Sequence, residues 1–495
     1  MFFIALLLAV VVSGYLFLKW HFSVFKRLAI PGPDPCLVTG NLLPILKRGQ
    51  LEAMCSWERQ YGRVFGYYEG WTPVISVADP DILREILVKD FNNYRSRKPF
   101  PLAPRKSLGL FLENGDQWKR SRASLTPAFS TGKLRQMFSQ INDSVDHLVC
   151  NTEGKCGESF DIYNLYQRLT LDVIGRCAFG LQTNVQTDEN DDFLLNIRVL
   201  FDGLSKTIIQ PLVMLVPFFS HFLFALKNLV FLFGMNPVMR LRNQMREVVR
   251  VRKQMGHENI MPDLVQLMVF PNCEGSKSTR KNIEPMSDRE IVAQSMTFLL
   301  AGYETTSAVL AFLTHALATN DDVQNKLCEE VDEVLKSKEV TYEMVNKMPF
   351  FDTVIDEVCR LYPTASMIVT RVGAKERVYN GVRLPAGMAI QGNVWALHRD
   401  PELWEEPEEF RPERFSAENK PNIKPYSYLP FGAGPRMCIG MRFALLEIKV
   451  AVGRILQNFT FAKSCETTDK LTLITRGAIV PRNGVNLKVM RRHSI

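Results

Sequence analysis

The stretch Phe431-Gly432-Ala433-Gly434-Pro435-Arg436-Met437-Cys438-Ile439-Gly440 is the most informative part of this sequence. Glycines on both sides of Cys438 allow tight turns and a close approach of backbone N–H groups to its sulfur. Arg436 adds a positive charge, and a helix predicted over residues 441–456 points its positive dipole end at the loop. These features favour a thiolate. A thiolate without a Cys or His neighbour suits a single axial bond to haem iron; a buried structural cysteine is the alternative.

Outside this loop, the composition is that of an ordinary globular protein. The chain has 495 residues, 46% hydrophobic and 23% charged, with a net charge of +8. These values exclude a disordered chain, a fibrous repeat and a polytopic membrane protein, and we expect no nucleic-acid partner. The 10 cysteines include no C-x-x-C pair, which disfavours a disulfide framework or zinc ribbon and favours a reducing compartment.

The amino end begins with an apolar run. Residues 2–18 carry no charge, and at about 1.5 Å per residue a helix of this length spans a thin bilayer such as the endoplasmic reticulum. Basic residues follow the run, which places the body in the cytosol by the positive-inside rule. We therefore expect a single-pass transmembrane signal-anchor at 1-18, a basic and proline-rich linker at 19-35 and the body at 36-495. A cleaved signal peptide is the alternative, which the missing basic n-region disfavours.

Helical patterns dominate the body. Strand-like pieces occur at 64–68, 72–77, 471–474 and 485–489, which predicts a mainly α fold with minor β in one large domain, since no linker divides it. The phenylalanine-rich stretch 212-233 has two open interpretations: a core helix pair, or a surface segment that dips into the membrane.

A long central helix is predicted from Asp288 to Ala318, because Ser287 and Glu290 have capping-box spacing and apolar residues cover several faces. The stretch Ala301-Gly302-Tyr303-Glu304-Thr305-Thr306-Ser307 interrupts the apolar pattern. A carboxylate in a core is costly unless it is paired. Either a ligand fits against the glycine and uses the acid and the hydroxyl, or the hydroxyls bond back to i−4 carbonyls and kink the helix.

The cysteine loop is similar to the haem-binding signature F-x-x-G-x-R-x-C-x-G of the cytochrome P450 family at every fixed position. Further motifs occur in the family's order: Trp118-x-x-x-Arg122, Ala301-Gly302-x-Glu304-Thr305-Thr306, Glu357-x-x-Arg360 and Phe410-x-Pro412-Glu413-Arg414-Phe415. From about Pro31 to its end the chain resembles a microsomal, membrane-anchored cytochrome P450. It looks most like the vertebrate drug-metabolising three family and nematode relatives.

This resemblance implies that residues 36-495 form a single haem-thiolate catalytic domain that holds haem b. Cys438 would be the axial ligand of the haem iron. The other cofactor-binding residues would be Phe431, Gly434, Arg436, Gly440, Trp118, Arg122, Arg371 and Ala301, with the propionates near the tryptophan and the arginines. Glu304 and Thr305 would be catalytic and deliver protons to O2. Glu357, Arg360 and Arg414 would form a buried structural cluster beneath the cysteine loop.

The resemblance also places substrate contacts at apolar positions: Phe100, Leu108, Phe111, Phe298, Ala365 and Ile368. Apolar walls predict a lipophilic substrate, whether sterol, fatty acid or xenobiotic. Because no G-x-G-x-x-G motif opens a helix, NADPH would be used indirectly, through a separate NADPH-cytochrome P450 reductase. Cytochrome b5 is a further candidate partner, as is membrane lipid. The basic residues Lys119, Arg120, Lys133 and Arg135 fit either an acidic electron donor or a solvated face.

Three functions are compatible with a haem-thiolate site. The first is a monooxygenase that inserts one atom of O2 into its substrate at the endoplasmic reticulum membrane, with the catalytic domain facing the cytosol. The second is an isomerase or dehydratase that acts on lipid peroxides without O2, and the third is a non-catalytic haem binder. Glu304 and Thr305 favour the monooxygenase, because peroxide-using relatives tend to lose this pair.

Overall fold

The structure is a computed structural model that describes residues 2–99, 109–206, 215, 237–255, 263–270, 285–336 and 340–492. The predicted substrate residues Phe100 and Leu108 lie outside these ranges, as does the stretch 212-233 apart from residue 215. The helices of the described residues are α1 Phe2–His21, α2 Val24–Arg27, α3 Leu42–Arg48, α4 Gln50–Tyr61, α5 Pro80–Arg84, α6 Gly115–Leu125, α7 Thr131–Glu153, α8 Ile162–Phe179, α9 Asp192–Lys206, α10 Pro237–Met255, α11 Leu264–Val269, α12 Asp288–Thr319, α13 Asp321–Val334, α14 Tyr342–Val345, α15 Pro349–Leu361, α16 Val394–Leu397 and α17 Met441–Leu456.

In the part of the chain that the structure describes, short strands form four small sheets. The strands are β1 Val64–Glu69, β2 Thr72–Val77, β3 Ser159–Asp161, β4 Thr370–Val372, β5 Arg377–Tyr379, β6 Val382–Leu384, β7 Ala389–Gly392, β8 Phe459–Ala462, β9 Leu473–Thr475, β10 Ile479–Pro481 and β11 Asn486–Arg491. The largest sheet has the order β1-β2-β7-β4, with β2 and β7 parallel and the other pairs antiparallel. The others are β3-β11-β8, β9-β10 and β5-β6. The prediction of a mainly α fold with minor β is confirmed.

The central helix is α12, which packs against α8, α10, α15 and α17. It begins at a complete capping box: the Ser287 hydroxyl accepts from the Glu290 N–H, and the Glu290 carboxylate accepts from the Ser287 N–H. Long and apolar enough to span a membrane, α12 nevertheless has 72% of its most apolar window buried inside the protein. It is therefore the core helix that the sequence predicts.

The first helix, α1, has the opposite surroundings. It is as apolar as a membrane span, and none of its most apolar window is buried. Its 20 residues extend about 30 Å at 1.5 Å per residue, the thickness of a hydrocarbon core. Only the carboxyl end of α1 contacts the body, where His21 lies 2.9 Å from the Trp71 carbonyl. An apolar helix whose remaining length stays exposed fits a membrane anchor.

The predicted linker at 19-35 is largely part of the body. Phe22, Phe25 and Ile30 are buried, and the rings of Phe22 and Phe25 pack edge-on against Tyr68 of β1. A Cβ on Gly66 would lie only 2.2 Å from the Phe25 ring, so this position in β1 needs glycine. The predicted basic and proline-rich linker therefore includes a segment that packs on the body, because aromatic residues spaced along it supply an apolar face.

Candidate active site

A cavity lies between α12 and the loop that carries Cys438. Its lining comes from α12, the segment 109–129, the stretch after α15 and the loop 430–440. Most of the predicted site residues line it: Phe111, Trp118, Arg122, Phe298, Ala301, Thr305, Ala365, Ile368, Arg371, Phe431, Arg436, Cys438 and Gly440. Residues separated by more than 300 positions in the chain therefore meet at one place.

Cys438 opens onto this cavity at the start of α17. Its N–H donates to the Phe431 carbonyl at 2.9 Å, which closes the loop. Protein surrounds the sulfur on its other sides, and this burial raises the pKa of the Cys438 thiol. The N–H groups of Gly440 and Met441 and the charges of Arg122 and Arg97 lower the same pKa. The predicted thiolate is therefore only partly prepared by the loop, and a bound metal cation would complete the deprotonation.

The cysteine stands alone as a ligand. Within the described ranges, no group of three or more His, Cys, Asp or Glu side chains could hold a metal ion. A single sulfur facing a broad cavity matches one axial bond to the metal of a planar cofactor.

Gly434 shapes the loop instead of contacting the cavity. Its φ is +69°, and a Cβ there would lie 1.9 Å from the Leu87 carbonyl oxygen. Leu87 belongs to the π-helical turn Glu85–Lys89 that follows α5. The structure thus gives Gly434 a packing role, and its cofactor-binding role stays a prediction.

Four arginines, Arg97, Arg122, Arg371 and Arg436, line one side of the cavity, and we call them the open arginine cluster. In the described part of the chain none of them forms an ion pair with a carboxylate. Nε and Nη1 of Arg97 and Nε of Arg371 are buried and have no hydrogen-bond partner among the described residues. Arg436 donates from Nε to the Arg95 carbonyl at 2.7 Å and from Nη2 to the Glu113 carbonyl at 2.6 Å.

The arginines of this cluster depress one another's basicity. Burial lowers the pKa of Arg97 to about 10. Burial and the charge of Arg97 lower the pKa of Arg371 to about 9. Burial, followed by the charges of Arg97 and Arg371, lowers the pKa of Arg436 to about 8. Buried cations with unused N–H donors fit a multiply charged anion, and the two propionates of a haem are such a group.

Arg97 is a member that the sequence reasoning missed. It is brought to the cavity by a single β-bridge between Ser96 and Val372, next to Arg371 in β4. No local motif signals this contact, because its two sides are far apart in the chain.

The polar stretch of α12 divides between two faces of the helix. Thr305 lines the cavity, and its hydroxyl donates to the Ala301 carbonyl at 2.6 Å. Glu304 does not line the cavity and is only 1% exposed. The Tyr163 hydroxyl from α8 donates to Glu304 Oε1 at 3.1 Å. The prediction that both residues stand over the cavity is therefore corrected, since successive residues of a helix point about 100° apart.

The hydroxyls of this stretch bond back to the helix, as one of the two interpretations proposed. Ser307 donates to the Tyr303 carbonyl at 2.8 Å in the same i−4 pattern as Thr305. Gly302 lines the cavity, but a Cβ there would also lie 3.2 Å from Cδ1 of Ile174 in α8. The glycine therefore serves helix packing as well as cavity space.

Burial governs the acid–base behaviour of Glu304. It raises the pKa of this carboxyl to about 7, while the hydrogen bond from Tyr163 and the charge of Arg476 lower it. A carboxyl of this kind can both take up and release a proton near neutral pH.

Glu357, Arg360 and Arg414 meet in one buried cluster, which we call the closed arginine cluster. The pair between Glu357 and Arg360 is bidentate, with both distances 2.8 Å, and neither side chain is exposed. Arg414 Nε lies 3.3 Å from Glu357 Oε1. The remaining donors of Arg360 bond to the carbonyls of His398, Pro407 and Glu409, so all five guanidinium N–H groups have an acceptor.

His398 connects this cluster to the cysteine loop, and the sequence reasoning did not single it out. Its Nε2 accepts from the Leu429 N–H at 2.8 Å, and its Nδ1 lies 3.0 Å from the Arg360 carbonyl. Burial lowers the pKa of His398 to about 3, so the ring is neutral.

The comparisons with known proteins agree with the geometry of the site. The sequence model of the family described as "Cytochrome P450" matches residues 30–489, and the chain belongs to this family. It is accordingly a cytochrome P450 monooxygenase, an oxidoreductase that uses haem and O2. When bound, the haem supplies the oxygen chemistry, and ligation by a thiolate raises the electron density at its iron.

The similar proteins narrow the resemblance further. Cytochrome P450 3A9 of Rattus norvegicus is 39% identical over 503 residues, which cover 98% of this chain and 96% of the relative. Cytochrome P450 3A13 of Mus musculus is 39% identical over 494 residues, 97% of this chain and 94% of the relative. Cytochrome P450 3A6 of Oryctolagus cuniculus is 37% identical over 497 residues, which cover 99% of this chain and 97% of the relative. The predicted resemblance to the vertebrate three family is confirmed.

Proposed function

We propose that this monooxygenase oxidises a lipophilic small molecule, such as a sterol, fatty acid or xenobiotic, with electrons from NADPH that a separate reductase delivers. The observation that carries this proposal is the cavity itself. Cys438 lies on one side of it, the Thr305 face of α12 on the other, and apolar residues form most of the remaining lining. A cavity of this kind excludes water and binds apolar ligands.

Haem would be held at both its metal and its edge. Cys438 would ligate the iron, and the open arginine cluster with Trp118 would bind the propionates. The Arg436 guanidinium lies 4.5 Å from the centre of the Trp118 ring, so the two side chains support each other. Thr305 and Glu304 would supply protons to the oxygen chemistry from opposite sides of α12.

The apolar lining contains the described members of the predicted substrate set: Phe111, Phe298, Ala365 and Ile368. Arg97 stacks over the Phe111 ring at 4.4 Å. The aromatic wall for the substrate is therefore tied directly to the propionate end of the site.

Two of the four basic residues proposed to receive an acidic electron donor are already paired. Arg120 pairs with Glu290, and Arg135 pairs with Glu343 at 2.6 Å. Lys119 is exposed and Lys133 contacts only Gln136 among charged or amide side chains of the described residues. We assign the donor contact to the two lysines, with the reductase as the main partner and cytochrome b5 as a second acidic one.

We also propose a position at the endoplasmic reticulum membrane with the body in the cytosol, which the exposed apolar helix α1 and the basic residues after it support. Exposed apolar and basic side chains also occur in α3 and shortly before it: Val38, Leu43, Leu46, Lys47 and Arg48. Such a mixture suits the interface between lipid tails and anionic headgroups. Resistance of the full chain to carbonate extraction from microsomes, together with protease sensitivity of its carboxyl end, would support this placement.

The central experiment is the carbon monoxide difference spectrum of the dithionite-reduced protein, beside that of Cys438→Ala. We expect the strongly red-shifted Soret band of thiolate ligation in the first and loss of haem binding in the second. An unchanged haem spectrum in the variant would overturn the assignment of the ligand.

The same preparation, mixed with reductase and NADPH, tests the reaction. Product that carries one oxygen atom from O2 and appears only with NADPH is expected. Conversion of a lipid hydroperoxide without NADPH and O2, and no other turnover, would instead identify an isomerase or dehydratase. Haem binding without NADPH oxidation over a panel of lipophiles would identify a non-catalytic haem binder.

A further inference from the structure

We propose that Tyr163 is a positioning residue for proton transfer at Glu304, and that the surface pair Asp202–Arg476 acts on this acid through its charge from the side away from the substrate cavity. The inference rests on the proton-delivery role proposed above for Glu304 and Thr305. It adds the group that holds the acid and the charged pair that acts on it.

The orientation of Glu304 is the first argument. Its carboxyl faces α8 and lies outside the cavity lining. Oε1 is bonded to Tyr163, while Oε2 is buried and has no partner in the described part of the protein. One oxygen is therefore fixed, and the other stays available to take up or release a proton.

The surroundings of Glu304 are polar on the side away from the cavity. The charged and polar groups that act on it or on its immediate neighbours come from four elements: Tyr163 and Gln167 of α8, Arg198 and Asp202 of α9, Tyr303 of α12, and Arg476 in the turn between β9 and β10. The charge of Arg476 favours the ionised acid, and that of Asp202 opposes it. The acid is thus electrically linked to a pair at the protein surface.

That pair lies at the protein surface. Arg476 Nη1 lies 3.0 Å from Asp202 Oδ1, with side-chain exposures of 22% and 47%. Nε of Arg476 is buried and has no partner among the described residues. The pair therefore joins α9 to the turn between β9 and β10, whereas Thr305 faces the cavity.

Tyr163 is suited to hold the acid without replacing it. Burial and the neighbouring charge of Glu304 raise the pKa of Tyr163 well above its usual value, so the phenol remains a donor. Its hydrogen bond favours the ionised form of Glu304, against the effect of burial. Oε2 of Glu304 is then the atom that would take up and release the proton.

The test compares Tyr163→Phe with Tyr166→Phe in the haem-loaded enzyme. Tyr166 is a matched control: it lies in α8, is fully buried and carries a hydroxyl without a partner in the described residues. Infrared difference spectra against pH follow the C=O band of protonated Glu304, which Glu304→Gln identifies by removing it. We expect the midpoint of this band to rise by about one pH unit in Tyr163→Phe, and to stay at the wild-type value in Tyr166→Phe.

The effect of the surface pair on Glu304 is tested by Arg476→Ala, with Arg482→Ala as its control. Arg482 is an exposed arginine near the same hairpin. Loss of the Arg476 charge should also raise the midpoint, whereas Arg482→Ala should leave it in place. Equal midpoints in wild type, Tyr163→Phe and Arg476→Ala, or equal shifts in each variant and its control, would overturn the inference.

Product formed per NADPH, measured over the same pH range, separates this inference from the proposed function. If Glu304→Gln leaves that ratio unchanged, the proton-delivery role of Glu304 is wrong. If Glu304→Gln lowers the ratio while the midpoint in Tyr163→Phe does not move, only the role of Tyr163 is wrong.

Discussion

Two arginine clusters adjoin the cysteine loop and differ in how their donors are used. In the closed arginine cluster, every N–H of Arg360 has an acceptor, and Glu357 balances the charge. In the open arginine cluster, Arg97 and Arg371 keep buried N–H groups without partners, and no carboxylate of the described chain pairs with them. An arginine that stabilises the fold therefore has an acceptor for every N–H donor, whereas arginines that bind an anion keep donors without acceptors.

Removal of an arginine should also change the unfolding free energy of the protein in opposite directions in the two clusters. Breaking a closed, buried ion pair leaves an uncompensated charge and costs about 3–5 kcal/mol. Removing one cation from a group of unpaired buried cations relieves repulsion in the protein alone but removes a contact to the cofactor.

The largest expected effect belongs to Arg360→Leu. Glu357 would remain fully buried without its bidentate partner and keep only the longer contact to Arg414. We expect a loss of about 3–5 kcal/mol, a large share of a typical stability of about 5–15 kcal/mol. The yield of folded haem protein and denaturant unfolding measure it. Arg411→Ala is the control, since that side chain is 40% exposed in its pair with Glu406 and should cost about 0–1 kcal/mol. A similar small loss in both variants would end the distinction.

Arg97→Leu should act with opposite signs on two quantities. Haem affinity should fall about tenfold or more, because a hydrogen bond to a charged group contributes about 1.5–3 kcal/mol. The unfolding free energy of the apoprotein should rise, because a cation without a partner is removed from the cluster. Transfer of haem to an acceptor protein measures the first and urea denaturation of the apoprotein the second. A fall in both haem affinity and unfolding free energy would show that Arg97 stabilises the fold, as Arg360 does.

The pH dependence of stability tests the link between the closed arginine cluster and the loop. The pKa of His398 is about 3 in the fold and about 6.5 when unfolded, so between these values the unfolded chain binds the extra proton. Stability from this group is complete above about pH 6.5 and falls by about 1.4 kcal/mol per pH unit as the pH drops toward 3. In His398→Gln this contribution should vanish, which lowers the slope of unfolding free energy between pH 6.5 and 5. An unchanged slope would contradict the assignment.

The smallest effect on stability is expected for Thr305→Ala. This variant tests whether a donor that already has an acceptor in the protein can still serve the reaction. The Thr305 hydroxyl already has an acceptor, as the donors of Arg360 do, but it lies on the cavity wall. We expect retained haem and substrate binding, with a greater share of electrons lost to peroxide. Hydrogen peroxide and product per NADPH are the measurements. Full coupling would mean that a saturated donor is structural even beside the cofactor.

Local patterns allowed much of this molecule to be predicted. The capping box at Ser287 and Glu290 sets the start of α12, and the hairpin β1–β2 follows from residues a few positions apart. The cysteine loop is readable because its glycines, arginine and cysteine lie within ten positions. Each of these signals depends on neighbours in the chain.

The misses depend on contacts between distant segments or on rotation about a helix. Arg97 reaches the cavity through pairing of Ser96 with Val372, which no local periodicity encodes. Glu304 turns away from Thr305 because of helical geometry, and α8 decides what it meets there. Gly434 is required by the Leu87 carbonyl of a remote turn. Such facts follow from tertiary packing and not from composition or spacing.

The burial of Phe22, Phe25 and Ile30 against the body limits how the body can move relative to the membrane. A loose tether would let the body tumble above the bilayer and show every face in turn. With α1 in the lipid, as proposed above, the contacts of Phe22 and Phe25 with Tyr68 of β1 would hold the body at a fixed tilt. Only sliding in the membrane plane and rotation about the membrane normal would remain. The lysines proposed to meet the electron donor would sweep round at a constant height. The enzyme and a membrane-bound donor would then meet by diffusion in the membrane plane. Only the rotation of each protein about the membrane normal would have to match.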